Sequence, residues 1–136
     1  MHTTNYYNTF IEVAEDCPVE ESEIPPLRKK KSAVRIQYEL ISEHPYRFTS
    51  DDVIFVVHAE KNDIPEEQRP NAREKFFSNG RACLRSSSLG KRYGWGTHHD
   101  ADGTVAIYPM ESAEYAEFAN DEGLDHIKAM RSSRKD

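Results

Sequence analysis

Between Lys91 and Pro109 the chain alternates apolar and polar residues on both sides of Asp100-Ala-Asp-Gly103. A period of two marks a strand with unlike faces, and Asp-x-Asp-Gly has the chemistry of a type I turn closed by a left-handed glycine. The pattern predicts a β-hairpin pairing Asp100 with Thr104, His99 with Val105, His98 with Ala106, Thr97 with Ile107 and Gly96 with Tyr108. In that register Tyr93, Trp95, Thr97, His99, Val105 and Ile107 share one face, apolar enough to be core. Arg92, Gly94, Gly96, His98, Ala106 and Tyr108 share the other. Gly94 and Gly96 leave that second face a floor where a ligand or another backbone can approach closely. A two-residue Asp-Gly loop would move Val105 and Ile107 onto the face of His98. The first register is preferred because it groups both with Trp95.

Elsewhere the patterns are shorter. Residues 8–14, Asn-Thr-Phe-Ile-Glu-Val-Ala, have β-propensity and partial alternation and predict a strand. Ser32 is placed to cap a helix over 33–43, where Ala33, Ile36, Leu40 and Ile41 recur near helical spacing, and His44-Pro45 stops it. Residues 53–59, Val-Ile-Phe-Val-Val-His-Ala, are almost wholly apolar and predict a central strand. Asp63-x-x-Glu66 with Pro65 predicts a helical turn that Pro70 ends, and Asn71-x-x-Glu74 opens a helix through Phe76 and Phe77 that Asn79-Gly80 closes. Residues 81–85 read as a short turn and 86–90 as a loop. Ser112 caps a helix containing Tyr115 and Phe118, and residues 124–130 are amphipathic and short. The order β-α-β-α-β-β-α predicts an α+β fold, helices packed on a small, largely antiparallel sheet. Its expected core contains Phe10, Val13, Ile36, Leu40, Ile54, Val56, Phe76, Trp95, Val105 and Ile107.

At 136 residues the chain supports one domain, residues 1–136, with 1–7 and 131–136 expected as flexible ends. Charged residues make up 31% and hydrophobic ones 37%, polar for a folded chain but outside the disordered regime. No run approaches the ~20 apolar residues of a membrane span. The first residues have neither the basic head nor the apolar centre of a secretory signal. Cys17 and Cys83 have no CxxC partner and fit free thiols in a reducing compartment. A cytoplasmic protein without a membrane partner is expected.

The net charge of -6 hides an asymmetry. Residues 1–27 contain Glu12, Glu15, Asp16, Glu20, Glu21 and Glu23 and no lysine or arginine. From Arg69 to His98 the balance reverses, with Arg69, Arg73, Lys75, Arg81, Arg85, Lys91 and Arg92 facing only Glu74. Such blocks point either to an electropositive patch or to mutual neutralisation in the fold. The basic run Arg28-Lys-Lys-Lys31 reads as a solvated helix approach. A pI near 5.5 argues against nucleic acid as a partner.

Several stretches resemble a family of small bacterial proteins known only as a domain of unknown function. They are Asn8-Thr-Phe-Ile11, Gln37-Tyr-Glu-Leu40, Ser42-Glu-His-Pro-Tyr46, Thr49-Ser-Asp-Asp52, Phe76-Phe-Ser, Arg81-Ala-Cys-Leu-Arg-Ser86, Lys91-Arg-Tyr-Gly-Trp-Gly96 with His98, and Met130-Arg-Ser-Ser-Arg134. The resemblance runs end to end. It implies a stand-alone domain and brings no activity, cofactor or catalytic residue with it.

Two chemistries deserve weighing on the residues alone. His58-Ala-Glu60 and His98-His-Asp100 would each, in a strand, point two ligand-type side chains at one ion. That spacing matches no established zinc signature, so no metal is expected, and His58, Glu60, His98 and Asp100 stand only as the alternative set. Anion binding is broader: Arg85, Lys91 and Arg92 lead into the glycine-floored face beside His98 and Tyr108, where arginine forks suit phosphate or carboxylate and Tyr108 suits a ring. Neither a phosphate-loop pattern nor a Gly-x-Ser-x-Gly elbow is present. The sequence therefore predicts a non-catalytic module that binds a small anionic or nucleotide-like ligand through Arg85, Lys91, Arg92, His98 and Tyr108, without a cofactor. One alternative is a metal- or histidine-dependent hydrolase using His98 as its acid–base group, with an ordinary pKa near ~6.5. The other is a protein-interaction domain.

Overall fold

The hairpin forms in the expected register. In the computed structural model, which describes residues 1–133, β2 (Trp95–His99) pairs antiparallel with β3 (Val105–Pro109), His99 opposite Val105 and Gly96 opposite Tyr108. Gly103 takes φ +82° at the turn, a conformation that a side chain resists. Strand β1 (Thr9–Glu12) adds antiparallel to β2, and a fourth strand completes the order β3-β2-β1-β4. That strand, β4 (Asp125–Lys128), runs parallel to β1. It is absent from the expected order because it lies at the edge of the sheet: only Ile127 packs against the core, so no alternation betrays it.

Five helices surround this sheet: α1 (Ala33–Glu43), α2 (Ser50–Lys61), α3 (Arg69–Phe76), α4 (Ser88–Lys91) and α5 (Ala113–Ala119). Ser32 caps α1 and Ser112 caps α5, each accepting from a backbone N–H three residues on. The architecture is α+β, with β1 followed by four helices, then β2-β3-α5-β4.

The principal correction concerns residues 53–59, which lie inside α2 and not in a central strand. Thr49 and Asp52 form a reciprocal capping box that starts the helix, and Asp51 and Asp52 sit favourably in its first turn. The helix is apolar on several sides because it lies between two clusters. Val53 packs with Ile11, Ile41, Leu84, Leu89 and Val105 on one side, whereas Phe55 and Ala59 pack with Phe76 and Phe77 on the other. The buried set is therefore Val53, Phe55, Val57 and Ala59, while Ile54 and Val56, expected in the core of a strand, are half-buried. Of the other expected core residues, Phe10, Phe76 and Val105 are buried; Val13, Ile36, Leu40, Trp95 and Ile107 are half-buried.

Smaller differences follow the same logic. Pro70 stands in the first turn of α3, where its missing N–H costs nothing, and a 3-10 turn at Glu66–Gln68 runs straight into that helix. Ser87 caps α4 within the stretch read as loop. Residues 2–5 are tied down: His2 N–H donates to the Phe77 carbonyl, and Thr3 and Thr4 donate to the buried Asp51. At the other end Ser132 and Ser133 donate to Asp16, and positions 134–136 of the expected tail lie outside the described residues.

Candidate functional site

The hairpin's two faces have the composition expected, but the glycine-floored face is not open. Phe10 of β1 and Tyr115 of α5 stand over Gly96, where an added Cβ would lie 2.5 Å from Tyr115 and 2.7 Å from Phe10. Tyr115 is anchored there by accepting from Val13 N–H at 2.9 Å. Gly94, at φ +79°, is covered by Val19, Ser22 and Met110. The glycines thus admit the protein's own helix and connecting segment, and close approach serves packing.

His98 and Tyr108 do meet, through a residue that sequence reasoning missed. Tyr46 reaches them from the α1–α2 connection, its hydroxyl 2.8 Å from His98 Nδ1 and 2.8 Å from the Tyr108 hydroxyl. Tyr46 sits at φ +59°, uncommon for a bulky residue, and its N–H donates to the Val105 carbonyl at the start of β3. Phe118 of α5 closes the cluster, stacking on His98 at 4.2 Å and 22° and tilting against Tyr108 at 4.9 Å. Burial holds the His98 imidazole below its ordinary pKa, against the opposing pull of Asp100 and Asp121. Burial and the Tyr108 hydrogen bond push the Tyr46 hydroxyl upward. The three side chains form a hydrogen-bonded unit that fastens β2, β3 and the α1–α2 connection together. His-Pro-Tyr at positions 44–46 shows a helix stop in the sequence, but nothing local reveals that its tyrosine travels to the sheet.

The basic candidates separate. Lys91 ends α4, and Arg92 pairs with Glu23 at 3.1 Å and lies over the Tyr93 ring. Arg85 faces elsewhere: its Nε donates to the Lys128 carbonyl at 2.9 Å, and its own carbonyl accepts from Met130 N–H. There it lines a cleft of about 530 Å³ with Lys128, Arg131, Ser132, Ser133 and Glu15. Arg131 and Lys128 approach the Glu15 carboxylate at 3.1 and 3.5 Å. Beside them Asp16 is held by Ser132 and Ser133; although desolvation pushes its carboxyl up, those hydrogen bonds and Arg131 outweigh it and hold the pKa low. Lys128 and Arg131 were missed because each belongs to a segment whose path beside the loop after β1 depends on parallel β4 pairing.

The alternative metal set is dispersed. In the α2 helix His58 and Glu60, two residues apart, project roughly 200° apart. His58 packs on Phe76 at 4.5 Å, and Glu60 pairs with Arg69 at 3.6 Å. Asp100 is spent on the hairpin turn, accepting from Asp102 N–H, Thr104 N–H and the Thr104 hydroxyl. Among the described residues no three His, Cys, Asp or Glu side chains are grouped to hold a metal ion. His99 is fully buried on the core face, its ring edge-on to Tyr6 at 5.3 Å and both nitrogens without a hydrogen-bond partner among the described residues.

Residues 1–135 match the model of a family of unknown function, DUF6157. The chain belongs to that family. No curated protein and no solved structure matches this DUF6157 member. No helix among the described residues is long and apolar enough to cross a membrane.

Proposed function

We propose that this protein is a non-catalytic module binding a small anion, of the phosphate or carboxylate class, in the cleft of Arg85, Lys128 and Arg131. The observation that carries this reading is the balance of charge in one cleft of about 530 Å³: three cations line it with one carboxylate, Glu15, among its described lining residues, and Asp16 beside them still leaves the cations in excess. Arg85 is held in place through its Nε, a pre-set orientation that reduces the entropy lost on binding. Planar guanidinium forks recognise carboxylate and phosphate oxygens in pairs, and Ser132 lines the same cleft. Tyr108 lies in the separate His98 cluster, so the ring-stacking half of a nucleotide-like ligand has no support at this cleft. Nor is a catalytic role assigned to His98, because Phe118 covers one face of its ring and Tyr46 occupies Nδ1. The free thiols of Cys17 and Cys83 suit a reducing, cytoplasmic compartment.

A thermal-shift titration with inorganic phosphate, pyrophosphate, citrate and ATP, at constant ionic strength, tests the proposal. A ligand present at ~100 times its Kd adds ~2.7 kcal/mol of stability. Arg85→Gln or Arg131→Gln should remove that gain, whereas Arg92→Gln should keep it. No stabilisation by any anion, or stabilisation that survives both cleft substitutions, would overturn the reading.

A further inference from the structure

Between β1 and α1, residues 22–28 run without turn or bend and are clamped along one side. Glu23 N–H donates to the Tyr93 carbonyl at 2.8 Å, and Trp95 Nε1 donates to the Glu23 carbonyl at 2.9 Å. Arg35 Nη1 donates to the Pro25 carbonyl at 2.9 Å, and Ser22 is bound by Glu111. Pro25 is buried, yet its neighbours Ile24 and Leu27 are 61% and 65% exposed. An extended strap held from below thus presents two aliphatic side chains outward at no further ordering cost.

The four residues that follow are all basic and exposed: Arg28, Lys29, Lys30 and Lys31. Lys31 is engaged by Glu39 at 2.6 Å. Arg28, Lys29 and Lys30 make no ion pair among the described residues. The lysines line a cleft of about 550 Å³ together with Ile36, Leu40 and Val56, the half-buried apolar side chains of α1 and α2; of the carboxylates that line it too, Glu39 is paired with Lys31 and Arg35 and Glu60 with Arg69, which leaves Glu43 and Asp63. Exposed Leu27 is thus followed directly along the chain by the unpaired Arg28, Lys29 and Lys30, the last two of which line the cleft.

We infer that this surface docks an acidic segment of a partner protein, its apolar side chains covering Leu27 and entering the Ile36–Leu40–Val56 cleft while its carboxylates meet Arg28, Lys29 and Lys30. Charge complementarity selects the occupant. Three uncompensated cations together with these apolar side chains fit a segment that mixes Asp or Glu with apolar residues. An anionic membrane fits less well, because Glu20, Glu21 and Glu23 just upstream and the net charge of -6 would be repelled by an extended negative sheet. A short segment meets the basic end alone. Glu43 and Asp63, which line the same cleft, repel an acidic residue beside them and so favour a segment whose carboxylates lie toward Arg28, Lys29 and Lys30.

A phage-displayed library of random dodecapeptides, selected against the intact immobilised protein, tests this. The expected result is enrichment of peptides combining Asp or Glu with Leu, Ile, Phe or Trp. Binding of a synthesised winner, followed by fluorescence anisotropy, should weaken at least about tenfold in Leu27→Ser and again in the Lys29→Gln/Lys30→Gln pair, and should fall with added salt. All three positions are exposed, so unchanged thermal unfolding will confirm that the variants fold. Failure to enrich, or winners that bind both variants undiminished, overturns the inference. So does co-sedimentation with phosphatidylserine vesicles that the same variants abolish, which would assign the surface to lipid. A dimer in sedimentation velocity that the same variants abolish would assign it to a second copy of this chain and overturn it equally.

Discussion

Replacing His99 by leucine should remove a large part of the protein's sensitivity to acid. His99 is fully buried on the core face of β2, with neither ring nitrogen hydrogen-bonded to any of the described residues. Burial, reinforced by the neighbouring His98 and only partly opposed by Asp100, pushes its pKa down to about 4. In the unfolded chain the same imidazole takes up a proton near ~6.5. Between those values the unfolded state binds more protons than the folded one, so stability is lost as pH falls from about 6.5 to about 4 and then levels off. At ~1.4 kcal/mol per pH unit the full loss is ~3 kcal/mol, most of it already gone at pH 4.5. His99→Leu has no proton to take up. Urea unfolding followed through Trp95, which packs against the core edge-on to Tyr38, measures both proteins at pH 7 and pH 4.5. The variant should lose about 2–3 kcal/mol less than the parent over that interval, the carboxylates contributing equally to both. At pH 7 leucine also removes two unsatisfied nitrogens, while losing the edge contact with Tyr6. If both proteins weaken by the same amount between pH 7 and 4.5, the imidazole is not buried and neutral as described, and the reasoning fails.

Two further substitutions probe the packing of the hairpin's other face. Gly96→Ala forces a Cβ into Tyr115 and Phe10, so α5 must shift; thermal unfolding should show a loss of ~1–3 kcal/mol, and an unchanged midpoint would mean that α5 does not rest on β2. Tyr46→Phe removes the bonds to His98 and Tyr108 at a cost of ~1 kcal/mol, measurable by urea unfolding. It should also move the His98 ring resonances in an NMR pH titration, whereas resonances that stay in place would place Tyr46 away from the imidazole.

What the sequence by itself determined is what could be decided within a short span of chain. The hairpin register followed from turn chemistry at Asp100–Gly103 and from alternation over the residues on either side, both local, and the caps at Ser32 and Ser112 were legible for the same reason. The run at 53–59, expected as a strand, is ambiguous by itself, since an apolar segment of seven suits a buried strand or a buried helix. Only the tertiary structure decided between them, by setting α2 between the sheet cluster and Phe76–Phe77 so that both of its apolar sides were covered. Contacts across long separations were likewise out of reach. Tyr46 lies 52 residues from His98. Arg85 meets Lys128 across 43, and only because β4 pairs with β1. The open floor inferred at Gly94 and Gly96 was correct as a statement about missing side chains; which atoms occupy the space, Tyr115 and Phe10 over one and Met110 with Val19 over the other, depended on how α5 and the strap fold back. Backbone preference and periodicity act over a few residues and can be read in order. The identity of the neighbour that fills a gap is set by chain topology, which no local pattern contains.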